Sequence, residues 1–110
     1  MADVPLLERW RNPAPVVGVI RLAGVIGGLG PFRKGLTLSE LTHAINRSFK
    51  LWRLEAVALA INSPGGSPVQ SALIARRIRD LAEENGIPVF AFAEDVAASG
   101  GYWLALAADE

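Results

Sequence analysis

The chain has 110 residues, and its eleven acidic and eleven basic side chains leave a formal charge of zero. That balance gives no overall electrostatic pull toward nucleic acid or an anionic membrane, and a composition 51% hydrophobic and 20% charged excludes disorder. With no cysteine and a single histidine, His43, disulfides, thiolate chemistry and multi-histidine metal sites are excluded, and neither metal nor cofactor is expected.

In chain order, residues 1–15 read as an irregular leader, because Pro5, Pro13 and Pro15 prevent regular backbone pairing. The leader lacks a basic start followed by an apolar run, so it is not a secretory signal, and the compartment stays open. Val16 to Leu22 is rich in β-branched residues and reads as a strand. Gly24 to Gly35 holds five glycines and reads as a loop with a short extended piece at Val25-Ile26. Thr37 with Glu40 three residues on makes a capping box. Leu38, Leu41, Ile45, Phe49 and Trp52 then recur at helical spacing, predicting a helix that ends near Arg53.

Ala56 to Ile61 is an apolar run of strand length, of the kind buried on both faces of a parallel sheet. Ser63-Pro64-Gly65-Gly66 reads as a tight turn, and Ser67-Pro68 as an N-cap followed by proline at the first helical position. Val69, Leu73, Ile74, Ile78 and Leu81 predict the apolar face of a second helix, stopped by Asn85-Gly86 and Pro88. Val89 to Ala93 reads as a third strand. Tyr102 to Ala108 is apolar all round and predicts a buried helix. No run is long and unbroken enough to span a membrane. The alternation of strand and helix predicts an α/β fold with a mainly parallel sheet.

In such sheets ligands gather at the carboxyl ends of the strands, so two glycine turns that follow strands should border one crevice. The first is Asn62-Ser63-Pro64-Gly65-Gly66, whose glycines let an N–H approach a ligand closely. The second is Ala97-Ala98-Ser99-Gly100-Gly101, which sets one hydroxyl at a helix start among small residues. A serine followed by an N–H that can bind an oxyanion is what acyl transfer requires. Read locally, each turn is simply a turn and Ser99 an ordinary N-cap, and neither turn fits a phosphate-binding glycine motif.

Ala60-Ile61-Asn62-Ser63-Pro64-Gly65-Gly66-Ser67 followed by Asp95-Val96-Ala97-Ala98-Ser99-Gly100-Gly101-Tyr102-Trp103-Leu104-Ala105 resembles the S49 peptidases of the signal peptide peptidase A type. The resemblance runs from about Val16 to Glu110 and implies a ClpP/crotonase-like α/β superhelix, with residues 16–110 as the N-terminal part of the catalytic domain. It implies that Ser99 is the nucleophile and that the N–H groups of Gly66 and Gly100 form the oxyanion hole. It also implies a peptide substrate, a homo-oligomer in the full-length form, and a lysine as general base. Two lysines are present, Lys34 in the glycine loop and Lys50 on the first helix. Lys50 reads as a solvated helix residue and His43 as a surface one, so the base is expected outside this chain and the chain is expected to be an inactive fragment. Glu94 and Asp95 read as solvated loop carboxylates, and Tyr102 and Trp103 as core. A catalytically silent assembly module of the same fold is the alternative; a crotonase-type acyl-CoA enzyme is more remote, because that chemistry needs no serine at position 99.

Overall fold

Three strands, β1 (Val16–Ala23), β2 (Leu54–Ser63) and β3 (Val89–Ala97), lie side by side in parallel, in that order, in the computed structural model, which describes residues 14–28, 35–97 and 99–110. Helices α1 (Leu38–Ser48), α2 (Pro68–Asn85) and α3 (Gly100–Ala105) complete the α/β alternation. Most of the leader and the Lys34 stretch of the glycine loop lie outside the described residues.

Strand side chains alternate between faces, and the register places Ile20 beside Leu59 and Leu22 beside Ile61. These residues, with Val57 and Val89, face the core, where they meet Ile45 and Phe49 of the α1 region, Ile74 and Ile78 of α2, and Leu104 of α3. All three helices therefore cover one face of the sheet. The other face carries Val19, Ala58 and Phe90 in one row, and Arg21, Ala60 and Phe92 in the next. Val17, Val19 and Phe92 are exposed there. The expectation that β2 is buried on both faces is corrected: only Val57, Leu59, Ile61 and Ser63 are buried, while Ala56, Ala58 and Ala60 are half-open.

Local chemistry sets the helix ends. Thr37 Oγ1 accepts the Glu40 N–H at 3.2 Å, and Gln70 of α2 accepts the Leu38 N–H at 2.9 Å, joining the two helices. Ser67 Oγ accepts the Gln70 N–H, Pro68 fills the first position, and Gly86 closes α2 in the left-handed conformation at φ 62°. The first helix stops at Ser48, short of Arg53, because Phe49 turns into the core and Arg53 takes φ 61°. Trp52 thus leaves the apolar stripe and stands 74% exposed. On α2 the buried face is Ser71, Ile74, Ala75, Ile78, Leu81 and Ala82, whereas Val69 and Leu73 point outward.

The third helix is shorter than predicted, and not buried all round. Leu104 and Ala107 are buried, but Tyr102, Trp103 and Leu106 are exposed. After it the chain returns to the sheet. The Asp109 N–H donates to the Val89 carbonyl at 2.8 Å, and the Ala91 N–H donates to the Glu110 carbonyl at 2.7 Å, so the last two residues run along the outer edge of β3. Asp109 Oδ2 also accepts the Val89 N–H at 2.8 Å, and its Oδ1 lies 3.3 Å from the Arg79 guanidinium.

Candidate active site

The glycine turns meet at the carboxyl ends of β2 and β3. In the first, buried Ser63 accepts the Gly65 N–H on its Oγ at 3.1 Å, which curls the chain directly after β2. Ile26, from the extended piece after β1, then clamps the turn: its N–H donates to the Gly65 carbonyl at 2.9 Å and its carbonyl accepts the Ser67 N–H at 2.8 Å. Gly66 lies between these bonds at φ 147°, and a Cβ there would run into the Ile26 carbonyl oxygen. Only glycine fits this position. Its own N–H, directed away from the Ile26 clamp, meets no acceptor among the described residues.

The second turn packs on the first, glycine to glycine. A Cβ on Gly100 would lie 2.6 Å from Ser71 Oγ, 3.0 Å from Ile26 Cδ1 and 3.5 Å from Gly65 Cα. One on Gly101 would lie 2.7 Å from the Ser63 carbonyl oxygen. Ser71 is held there by donating its hydroxyl to the Ser67 carbonyl at 2.8 Å. Ser71 and Ile26 are supporting residues that the sequence reading missed. Their only signal was position, one turn into α2 and in the loop after β1.

Ser99 opens α3 in a backbone conformation that serine rarely adopts, φ 48° and ψ −115°, and its side chain makes no capping hydrogen bond. An ordinary N-cap serine sits in extended conformation and bonds back to its own helix through its side chain; Ser99 holds the N-cap position with neither feature. The hydroxyl is exposed, and the N–H of buried Gly100 follows it without an acceptor among the described residues. A serine on a strained strand-to-helix turn, with its side chain uncapped and only its carbonyl bonded into the helix, resembles a nucleophile elbow.

The remaining candidates fall elsewhere. Lys50 follows α1 at the amino end of β2, roughly 30 Å from Ser99 at about 3.3 Å per strand residue. His43 is exposed on α1, and Lys34 lies outside the described residues. Glu94 belongs to β3, not to a loop, and pairs with Arg21 at 3.0 Å across the open face of β2. The β2–β3 register advances from Ile61–Ala93 to Ser63–Ala97, so β3 holds two extra residues in this stretch just before the serine turn. Among the described residues no group of three or more His, Asp or Glu could hold a metal ion.

The fold and this site define an α/β protein of the parallel-sheet class with a strained serine turn at its strand ends. The sequence model of peptidase family S49 matches residues 82–110, the stretch that includes Ser99. The chain is 36% identical over 97 residues to the chloroplastic serine protease SPPA of Arabidopsis thaliana, covering 84% of this chain and 14% of that protein. It is 43% identical over 56 residues to Protease 4 of Haemophilus influenzae, covering 51% of this chain and 9% of that protein. A protein of Brucella melitensis named Na(+)/H(+) antiporter NhaA is 51% identical over 105 residues, covering 94% of this chain and 14% of that protein. The chain thus spans 14% of the length of the first of these relatives, and among the described residues no helix is long and apolar enough to cross a membrane. The family match and these two protease relatives support an assignment to peptidase family S49.

Proposed function

We propose that this chain carries the nucleophile and the oxyanion hole of a serine endopeptidase of the signal peptide peptidase type, built on a ClpP/crotonase-like superhelix. Ser99 Oγ attacks the scissile carbonyl and gives its proton to a lysine supplied outside residues 1–110. The carbonyl oxygen becomes an oxyanion that accepts the N–H groups of Gly66 and Gly100. Collapse of this intermediate breaks the C–N bond, the lysine returns the proton to the leaving amine, and water then hydrolyses the acyl-enzyme by the same route. The substrate class is extended peptides such as released signal peptides, and the full-length protein works as a homo-oligomer.

The supporting observation is the conformation of Ser99. A non-glycine residue at φ 48° costs on the order of 1–3 kcal/mol, and the serine side chain forms no capping hydrogen bond that would offset this. The strain is consistent with a requirement on the direction of the hydroxyl. In the catalytically complete protein, Ser99→Ala should abolish peptide hydrolysis and labelling by a fluorophosphonate while leaving the thermal midpoint unchanged or slightly raised. Equal labelling of wild type and variant would remove Ser99 from the reaction.

A further inference from the structure

Gly66 follows β2 and Gly100 follows β3, and one residue from a third part of the chain touches both turns. Ile26 comes after β1 and is 2% exposed. It forms isolated parallel bridges on both edges, to Gly66 on one side and to Leu36 on the other. The Gly66 bridge uses the N–H and carbonyl of Ile26 itself, bonded to the Gly65 carbonyl and the Ser67 N–H. The Leu36 bridge uses its neighbours. The Gly27 N–H donates to the Leu36 carbonyl at 2.7 Å, and the Leu36 N–H donates to the Val25 carbonyl at 2.8 Å. Three short extended pieces thus lie side by side, with Ile26 in the middle one. Two glycines admit this close approach. A Cβ on Gly27 would lie 2.9 Å from Ser67 Cβ, and one on Gly35 would run into the Gly27 carbonyl oxygen. Leu36 leads directly into Thr37, the cap of α1, so the outer piece is anchored to a helix.

The side chain of Ile26 reaches the second turn, where its Cδ1 presses on Gly100 from one side and Ser71 Oγ from another. The last rung joining β2 to β3 is Ser63–Ala97. Beyond it, among the described residues, no backbone hydrogen bond joins Gly65, Gly66 or Ser67 to Ser99, Gly100 or Gly101. Past the strand ends the spacing of the two turns is therefore set by packing, which in a protein interior is close and resists compression. Ser71 belongs to α2 and is tied to the first turn through Ser67. Ile26 is fixed to that same turn by its backbone and meets the second with its tip. An oxyanion is held by two N–H groups only where both stand about 2.7–3.1 Å from it. Misplacement by about 1 Å costs on the order of a hundredfold in rate.

We propose that Ile26 is a positioning residue of the oxyanion hole: its backbone aims the Gly66 N–H, and its Cδ1 sets how far from it the Gly100 N–H stands. The inference rests on the peptidase reading of Ser99 and extends that site to the segment after β1, which supplies no reacting atom. Leu36 holds Ile26 from behind, so the two glycine turns are spaced by a piece of chain that belongs to neither.

The test uses the catalytically complete protein, a fluorogenic peptide, and a peptide aldehyde whose hemiacetal with Ser99 places an oxygen in the hole. Ile26→Val removes Cδ1 and keeps every backbone bond. Its kcat should fall about tenfold and the aldehyde inhibition constant should rise in step, while KM changes by less than about twofold. Ile26→Met restores a carbon at that reach and should recover kcat to within about threefold of wild type. Ile78→Val takes the same methyl group from the buried face of α2. It should lower the thermal midpoint by a similar amount and leave kcat unchanged. Wild-type kcat and aldehyde affinity in Ile26→Val overturn the inference. So does an Ile26→Met variant no faster than Ile26→Val, or an equal loss of kcat in Ile78→Val, which would make the effect one of general packing. Fluorophosphonate labelling separates this inference from the reading beneath it. A wild type labelled at Ser99 beside an unimpaired Ile26→Val variant strikes the role of Ile26 alone. An unlabelled wild type strikes the peptidase reading, and the role of Ile26 with it.

Discussion

Ser99 and Gly66 are each held in a conformation that their surroundings impose. At Gly66 the constraint comes from Ile26, whose backbone bonds both neighbours of the glycine and leaves no room for a Cβ. The same clamp directs the Gly66 N–H outward. Gly66→Ala must therefore push the turn away from Ile26 and turn that N–H aside. In the catalytically complete protein, kcat should fall by about a hundredfold, the usual loss for one oxyanion donor, while KM for a peptide changes by less than about threefold. Steady-state kinetics with a fluorogenic peptide measures both. A near-normal kcat would make the turn purely structural. The residue types at this site were legible from the two glycine motifs, but the strain at Ser99 was not, because a local motif does not show how closely the second turn packs on Ser63, Gly65 and Ser71.

Elements are joined here by a few side chains that bridge them, and Asp109 is the clearest. Its carboxylate accepts the first N–H of β3 and pairs with Arg79 of α2, which also donates to the Ala107 carbonyl at 3.0 Å beyond α3. The Val89 N–H holds the Asp109 carboxyl below its ordinary range, with Arg79 adding to the effect and partial loss of water opposing it. A carboxylate whose folded pKa is depressed contributes stability above its unfolded value of about 3.9 and loses that contribution as pH falls through the folded value. Asp109→Asn should thus lower the urea midpoint at neutral pH, and the gap should close as pH falls through the depressed folded value. A gap that persists in acid would mean the loss is one of shape and not of charge. This bridge could not be read from the sequence, since Asp109 and Val89 are twenty residues apart. Caps were legible because their partners are local: Thr37 with Glu40, Ser67 with Gln70, Gly86 after Asn85. The end of α1 was misread for the opposite reason. Trp52 keeps the helical spacing, yet Phe49 already fills the core and the chain must turn to enter β2.

On the scale of the molecule, the placement of all helices on one face leaves the other face of a parallel sheet open. Parallel sheets are ordinarily covered on both sides. Here Val17, Val19 and Phe92 are 53%, 64% and 60% exposed around the half-open alanines of β2, crossed only by the Arg21–Glu94 pair. The sequence reading expected the third helix to be buried, yet its Tyr102, Trp103 and Leu106 are exposed and offer a second apolar surface. The sheet face is the flatter of the two and better suited to close apposition, because its alanine row offers no obstacle to a second surface. An apolar patch of this kind favours association in water. Residues 1–110 should therefore self-associate at micromolar concentration, and Val19→Lys combined with Phe92→Lys should shift the population toward monomer more than Tyr102→Lys with Leu106→Lys does. Sedimentation velocity on the two double variants decides between the surfaces. Both pairs of side chains are more than half exposed, so neither double variant should lower the thermal midpoint by more than a few degrees. If the helix variant dissolves the assemblies and the sheet variant does not, the open sheet face is not the surface of association.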